Sequence, residues 1–277
     1  GFGADTAAGD ETSYTDAAAH AEVAYQRSLP GPGDDLVVGL ALGASRHRLG
    51  DGRVADAPDT AAVHPRLFAD ADATAAVTLR AGLRYDTRDS QHAPYRGGHL
   101  GLALAWSPWQ DGFAPGGRAT LDGSYVWPVP GIFHAGGDAD EEHPPTDVVA
   151  VGGFVARSFG ALPFFRRPAL GGRDTLRGYI GGRWRGDAAW HASLEYRPWL
   201  IPRGFGWGQF RVERIGTAVF WDLGSVADDL AGFADAAVHT SLGTGLRLSL
   251  ERQAQFRFDV AWSAEDTTFS IAYGMAF

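Results

Sequence analysis

From residue 97 the chain alternates strictly, with Leu100, Leu102, Leu104 and Trp106 on one parity and His99, Gly101, Ala103, Ala105 and Ser107 on the other. A period of two belongs to a β-strand with two unlike faces. Residues 74–86 repeat it, setting Val77, Leu79, Leu83 and Tyr85 against Thr78, Arg80, Gly82, Arg84 and Asp86. Residues 188–197 set Trp190, Leu194 and Tyr196 against His191, Ser193, Glu195 and Arg197. In "RIGTAVFWDLG" Ile215, Val219, Trp221 and Leu223 oppose Arg214, Gly216, Ala218, Phe220 and Asp222, and "HTSLGTGLRLSL", "QFRFDVAWS" and "TTFSIAYGMAF" follow suit. Less regular strands are readable at 13–27, 36–47, 118–127 and 147–157. That makes eleven, and "GFGADTA" at the start reads as the truncated end of a twelfth. Strands of roughly ten residues suit a tilted crossing of a bilayer. The fold expected is an all-β, transmembrane antiparallel barrel of about twelve strands, filling residues 1–277 as a single domain.

A soluble sandwich also alternates, and the placement of charge separates the two. Arg80, Arg84, Arg197, Arg247 and Arg257 all fall on the parity opposite the large apolar residues. Each would cost about 2–4 kcal/mol on a lipid face at the bilayer midplane. The register is therefore arginines inward and aliphatics outward. Tyr85, Trp106, Trp127, Trp190, Trp221, Trp262 and Phe277 stand towards strand ends, as an interfacial girdle would.

Composition sharpens this picture. Twelve per cent aromatic residues, 38 glycines and a mean hydropathy of −0.15 are what half-apolar strands average to. No apolar run is long enough for a spanning helix. With 24 Lys+Arg against 33 Asp+Glu, the chain offers nothing that attracts nucleic acid. Cysteine is absent, which removes disulfides, thiolate metal sites and cysteine nucleophiles.

Candidate chemistry is sparse. "GDADEEHPP" gathers Asp138, Asp140, Glu141, Glu142 and His143, a spacing compatible with a cation but commoner in solvated turns, and no metal is expected. No serine sits on a strained turn beside a base, so neither an enzyme nor a cofactor is expected. The stretch 171–187, "GGRDTLRGYIGGRWRGD", holds four arginines and six glycines. It lacks the Lys-Ser/Thr of a phosphate loop and does not run from strand into helix, which leaves an internal latch or a loose loop.

The motifs carry a resemblance. Asp86-Thr87-Arg88-Asp89 followed by Gly97-Gly98, then Leu176-Arg177-Gly178-Tyr179, Ser193-Leu194-Glu195-Tyr196-Arg197, Phe220-Trp221-Asp222-Leu223-Gly224 and Gly243-Thr244-Gly245-Leu246-Arg247 occur in the order of the bacterial outer-membrane assembly-factor superfamily. The likeness is to its BamA and TamA type, the surface-antigen barrel, and spans residues 85–277. It implies a barrel in the bacterial outer membrane whose arginine-bearing loop folds back into the lumen, against an acidic residue on each of the next two strands. Those would be Arg177, with Gly178 turning the backbone and Tyr179 wedging the tip, against Glu195 and Asp222, which both face inward by alternation. It also implies that the last strand, with Phe269, Tyr273 and Phe277 on the lipid-facing parity, is what assembly machinery recognises. Known members carry sixteen strands and several POTRA domains, so these residues read as a short member or a fragment. The functions implied are insertion or translocation of polypeptides, with client chains, outer-membrane lipid or a periplasmic or surface protein as partners. A closed docking barrel or membrane anchor is the alternative, and a passive diffusion pore comes last, because the 160–187 loop should obstruct a lumen of this size.

Overall fold

A computed structural model describes residues 1–29, 35–55, 57–69, 73–134, 146–201, 204–250 and 254–277. Its strands, in chain order, are β1 (Tyr14–Ser28), β2 (Leu36–Asp51), β3 (Ala73–Asp86), β4 (Gly97–Gln110), β5 (Gly116–Val129), β6 (Asp147–Gly160), β7 (Ala169–Leu170), β8 (Trp184–Arg185), β9 (Ala188–Arg197), β10 (Trp199–Ile201), β11 (Phe205–Trp207), β12 (Phe210–Ala227), β13 (His239–Leu250), β14 (Ala254–Trp262) and β15 (Thr267–Tyr273). Two short helices, α1 (Thr60–Val63) and α2 (Pro65–Ala69), lie between β2 and β3. Among the described residues no helix is long and apolar enough to cross a membrane, a fact that does not bear on strands.

Eleven long strands form one antiparallel sheet in the order β1-β2-β3-β4-β5-β6-β9-β12-β13-β14-β15, with β10 and β11 pairing the outer part of β12. Every neighbour along this path except β6 and β9, and β9 and β12, is joined by a simple consecutive connection, the up-and-down topology of a barrel wall. All eleven strands read from alternation are present. The opening residues do not add a twelfth: Phe2 makes a single parallel bridge to Arg185, and Ala4 is buried beside Leu170 and Leu176. The segment is captured by a loop and not by a strand edge.

Alternation sorts the wall as charge and hydropathy require. Leu40, Leu42, Leu79, Leu83, Leu100, Leu102, Leu104, Leu121, Leu194, Val219, Leu242 and Ile271 are exposed on one face, which in water would be an unsustainable apolar area. Tyr85, Trp106, Trp127, Trp221 and Trp262 stand on the same face, each more than 40% exposed. Lipid is the medium that satisfies such a surface.

The other face holds what core there is. One cluster joins Leu170, Leu176, Tyr179 and Trp184 to Ala189 and Val226 of the wall. A second surrounds Phe164 and Leu49, with Phe2, Tyr14 and Phe68 packed against them. A third comprises Tyr95, Val126, Val148, Ala150 and Trp199, with Met275 and Phe277 against it. In each, a connecting or terminal segment lies against the inward face of the strands.

Phe277 therefore departs from the lipid-facing expectation. β15 keeps Phe269 and Tyr273 outward, 66% and 56% exposed, but ends at Tyr273. Gly274 follows with φ +80°, a conformation other residues reach only at a cost, and it breaks the alternation. The Met275 amide donates to the His92 carbonyl, and the Phe277 ring lies where a Cβ on Gly152 would stand. The same turn takes Met275 off the lipid face.

Candidate functional site

Residues 161–187, between β6 and β9, fold back along the inward face. β7 pairs with β8 to make a narrow stem, preceded by a 3-10 turn at Phe164–Arg166. The tip between the stem strands is closed by its own bonds: the Gly171 amide donates to Thr175 Oγ1 at 2.9 Å and the Gly172 amide to the Tyr179 carbonyl at 2.9 Å. A preformed tip of this kind loses less entropy on docking than an open loop would.

Arg177 projects from the tip into the wall and is 3% exposed. Its Nε donates to Asp222 Oδ2 at 2.8 Å and its Nη2 to Asp222 Oδ1 at 2.7 Å, a bidentate pair of the kind a guanidinium fork makes and an ammonium cannot. Nη1 donates to Glu195 Oε1, and Nη2 also reaches Ser193 Oγ at 3.0 Å. The main-chain amide of Arg177 adds a bond to Asp222 Oδ2 at 3.2 Å, and its carbonyl accepts from Thr268 Oγ1. Beneath the guanidinium lies the Phe220 ring, 3.4 Å from its centroid. Burial disfavours the charge, but Glu195 and Asp222 outweigh it, so Arg177 holds its proton above the usual arginine range.

The carboxylates have further partners. Arg197 Nε donates to Glu195 Oε2 at 2.7 Å, and Arg247 Nη1 to Asp259 Oδ1 at 2.5 Å. Arg257 Nη2 reaches back to the loop, to Asp174 Oδ1 at 2.5 Å and the Arg173 carbonyl at 3.0 Å. Arg177, Arg197, Arg247 and Arg257 thus meet the buried Glu195, Asp222 and Asp259 and the exposed Asp174. Buried charge of this amount is tolerable only when paired in this way.

The residues read from sequence as the loop and its partners are brought together. Tyr179 is 4% exposed, meets Trp184 edge-on at 4.5 Å and donates its hydroxyl to the Thr240 carbonyl at 3.1 Å. Gly178 differs from the expectation in its reason: its φ lies outside the left-handed region, but a Cβ there would come within 2.8 Å of the Ser241 side chain and 2.9 Å of that of Ser263. It is small because the tip presses on the wall. Phe269 and Tyr273 lie on the lipid side of β15, apart from the network, and Phe277 belongs to the third cluster, with the Arg197 guanidinium 5.1 Å from its ring centroid. The run Asp138, Asp140, Glu141, Glu142 and His143 falls outside the described residues.

Several contacts had no local sequence signal. Arg183 clamps Glu265 in the β14–β15 turn, at 2.8 and 2.7 Å, and also binds Thr6. Arg166 is held by the neutral oxygens of Gln110, Thr78 and Ser107 at 3.0–3.1 Å. At the opposite end of the sheet, Arg214 donates to the Tyr95 hydroxyl at 2.7 Å, and burial pushes that hydroxyl up to about 12. Asp259 was discoverable: Arg247 and Arg257 are direct cross-strand partners, and like charges so placed need an acid beside them.

Comparison with known proteins agrees with this architecture. The fold is similar to that of BamA from Haemophilus ducreyi lacking POTRA domains 1–3, with a TM-score of 0.66 and 17% identity over 97% of this chain and 56% of that one. It is also similar to CdiB from Acinetobacter baumannii, with a TM-score of 0.58 and 12% identity over 93% of this chain and 42% of that one. The chain thus spans about half the length of these solved proteins. No curated protein sequence matches it. The Omp85 superfamily domain model matches residues 5–277, nearly the whole sequence with its loop, acidic partners and terminal strand, and the chain belongs to the Omp85 superfamily.

Proposed function

We propose that this chain is the membrane-embedded part of a non-enzymatic bacterial outer-membrane protein that inserts or translocates polypeptides. The observation that carries the reading is the arginine-tethered loop: Arg177 fixed by Glu195 and Asp222 on adjacent strands keeps the tip inside the barrel. A lumen occupied in this way is unsuited to free diffusion, and a wall braced through one loop, by Arg177, Arg183 and the Asp174–Arg257 pair, suits a barrel that must accommodate a client strand. The resemblance noted in the sequence points to the same class. In this reading Phe269 and Tyr273 on β15 face the assembly machinery during biogenesis, and Phe277 packs into the lumen once the strand is in place.

Reconstitution tests the proposal. Proteoliposomes holding the folded chain should speed the insertion of an unfolded outer-membrane barrel client, and Arg177→Ala should slow it. Client insertion no faster than in empty liposomes sinks the reading and favours a docking barrel or anchor. A steady ohmic conductance in planar bilayers favours the pore.

A further inference from the structure

The lipid-facing side of β2 carries two arginines. Arg46 and Arg48 fall on the parity of Leu36, Val38, Leu40 and Leu42, not on that of inward Gly39, Gly43 and His47, and both are exposed. Such residues are expensive in the hydrocarbon and cheap at its edge. Register places them at that edge. The row Leu42–Leu79–Trp106 and the row Ala44–Val77–Trp109 run across β2, β3 and β4, with Trp106 and Trp109 41% and 54% exposed. Arg46 lies one step beyond the second row and Arg48 two, which is headgroup level for an aromatic belt.

Among the described residues, no side chain pairs with them. Arg46 pairs across to Ala19 and Ala75, and Arg48 to Ala17 and Ala73. The outward positions of β1 and β3 flanking them are thus alanine, with no carboxylate among them. Arg157, an outward arginine on β6, is by contrast tied to the Asp228 carbonyl. Two guanidiniums without a partner among the described residues, two residues apart on one strand, stand roughly 7 Å apart at their backbones, a span one phosphate can bridge.

Directly below them the same face is hollow. An apolar groove of about 440 Å³ runs between Val23, Leu40, Leu42, Leu79, Leu104 and Trp106, and Ala81 contributes a short side chain to it. On β2 the groove ends at Leu42, and the arginines follow at 46 and 48 with Ala44 between.

We propose that this face is a binding site for a phosphorylated lipid, with the phosphate held by Arg46 and Arg48 and an acyl chain in the groove. Charge complementarity selects the headgroup, and the groove selects a lipid over free phosphate. The inference rests on the membrane-barrel part of the proposed function and is independent of client insertion.

The test uses the folded chain in phosphatidylcholine nanodiscs containing a minority of phosphatidic acid, with retained lipid counted by native mass spectrometry. The wild-type chain should retain phosphatidic acid in preference to phosphatidylcholine. Arg46→Gln with Arg48→Gln should weaken retention roughly 30-fold, about fivefold for each arginine near a charged surface. Ala81→Phe, which fills the groove from the lipid side, should weaken it while leaving heat-modifiable migration unchanged. Arg84→Gln, which removes a positive charge from the inward face, should leave retention unaltered. Equal retention by the double variant, an equal loss in Arg84→Gln, or full displacement by millimolar inorganic phosphate overturns the inference. Failure to insert into these bilayers overturns it together with the barrel reading, whereas selective retention without client insertion supports it and sinks only the insertase reading.

Discussion

The two halves of the wall follow one alternating code and meet different fates. On β1 to β5 the inward charges look into open space: Arg80 and Arg84 are exposed, and Arg80 meets Glu22 in a pair that water reaches. On β9 to β14 Glu195 and Asp222 at 0% and Arg247 and Asp259 at 1% exposure gather around Arg177 of residues 161–187, while Arg214 is buried at the other end against Tyr95. The inward position of a charge is thus a local property of its strand, while its burial is decided by segments outside that strand. The same residue type is a solvated wall group on one side and part of a network that stands or falls together on the other.

The sharpest way to break the comparison is to remove the arginine that spans loop and wall. Arg177→Ala strands Asp222 and Glu195 without their fork and should cost about 3–5 kcal/mol in urea unfolding from detergent micelles, accompanied by protease cleavage within 161–187. Arg177→Lys keeps the charge but not the bidentate geometry and should recover less than half of that loss.

Next in size is the terminal cluster. Phe277→Ala removes a partly buried ring from Gly152, Val148 and Trp199 and should lower stability by about 2 kcal/mol, below the range for a fully buried phenylalanine. Phe269→Ala and Tyr273→Ala, both lipid-facing, should leave detergent stability nearly unchanged and instead reduce assembly into the membrane in cells. Equal losses of stability for all three would mean that β15 packs as one unit and carries no recognition.

Much of this was legible from residues alone, for a physical reason. Lipid on one side and a polar lumen on the other impose a period of two on every crossing, so strands such as β4 and β13 announce both their bounds and their faces. Arg177 could be paired with Glu195 and Asp222 because parity and family motif agree. Phe277 departs from parity because Gly274 turns left-handed, and with 38 glycines in the chain, many of them inside strands, a glycine in "AYGMAF" does not by itself mark the break. Arg183 with Glu265, and Arg166 with Thr78 and Ser107, join segments more than fifty residues apart, where no period can report a contact.

Smaller effects probe each remaining difference. Gly274→Ala, at φ +80°, should cost about 1–2 kcal/mol and move Phe277 out of its cluster, read as a change in the near-ultraviolet circular dichroism of Trp199. Glu22→Gln and Arg84→Ala, on the open side, should each change stability by less than about 1 kcal/mol. A large loss at either would show that the open half is covered in the folded protein, and the contrast between the halves would vanish.

The coupling between Arg177 and Asp222 tests the central claim most directly. A double-mutant cycle of Arg177→Met and Asp222→Asn, measured by urea unfolding in micelles, isolates the contact from each residue's other roles. A tip docked against the wall predicts a coupling of about 2 kcal/mol or more, with the double variant less destabilised than the sum of the singles. Additivity within about 0.5 kcal/mol would place the arginine away from the wall and contradict the account.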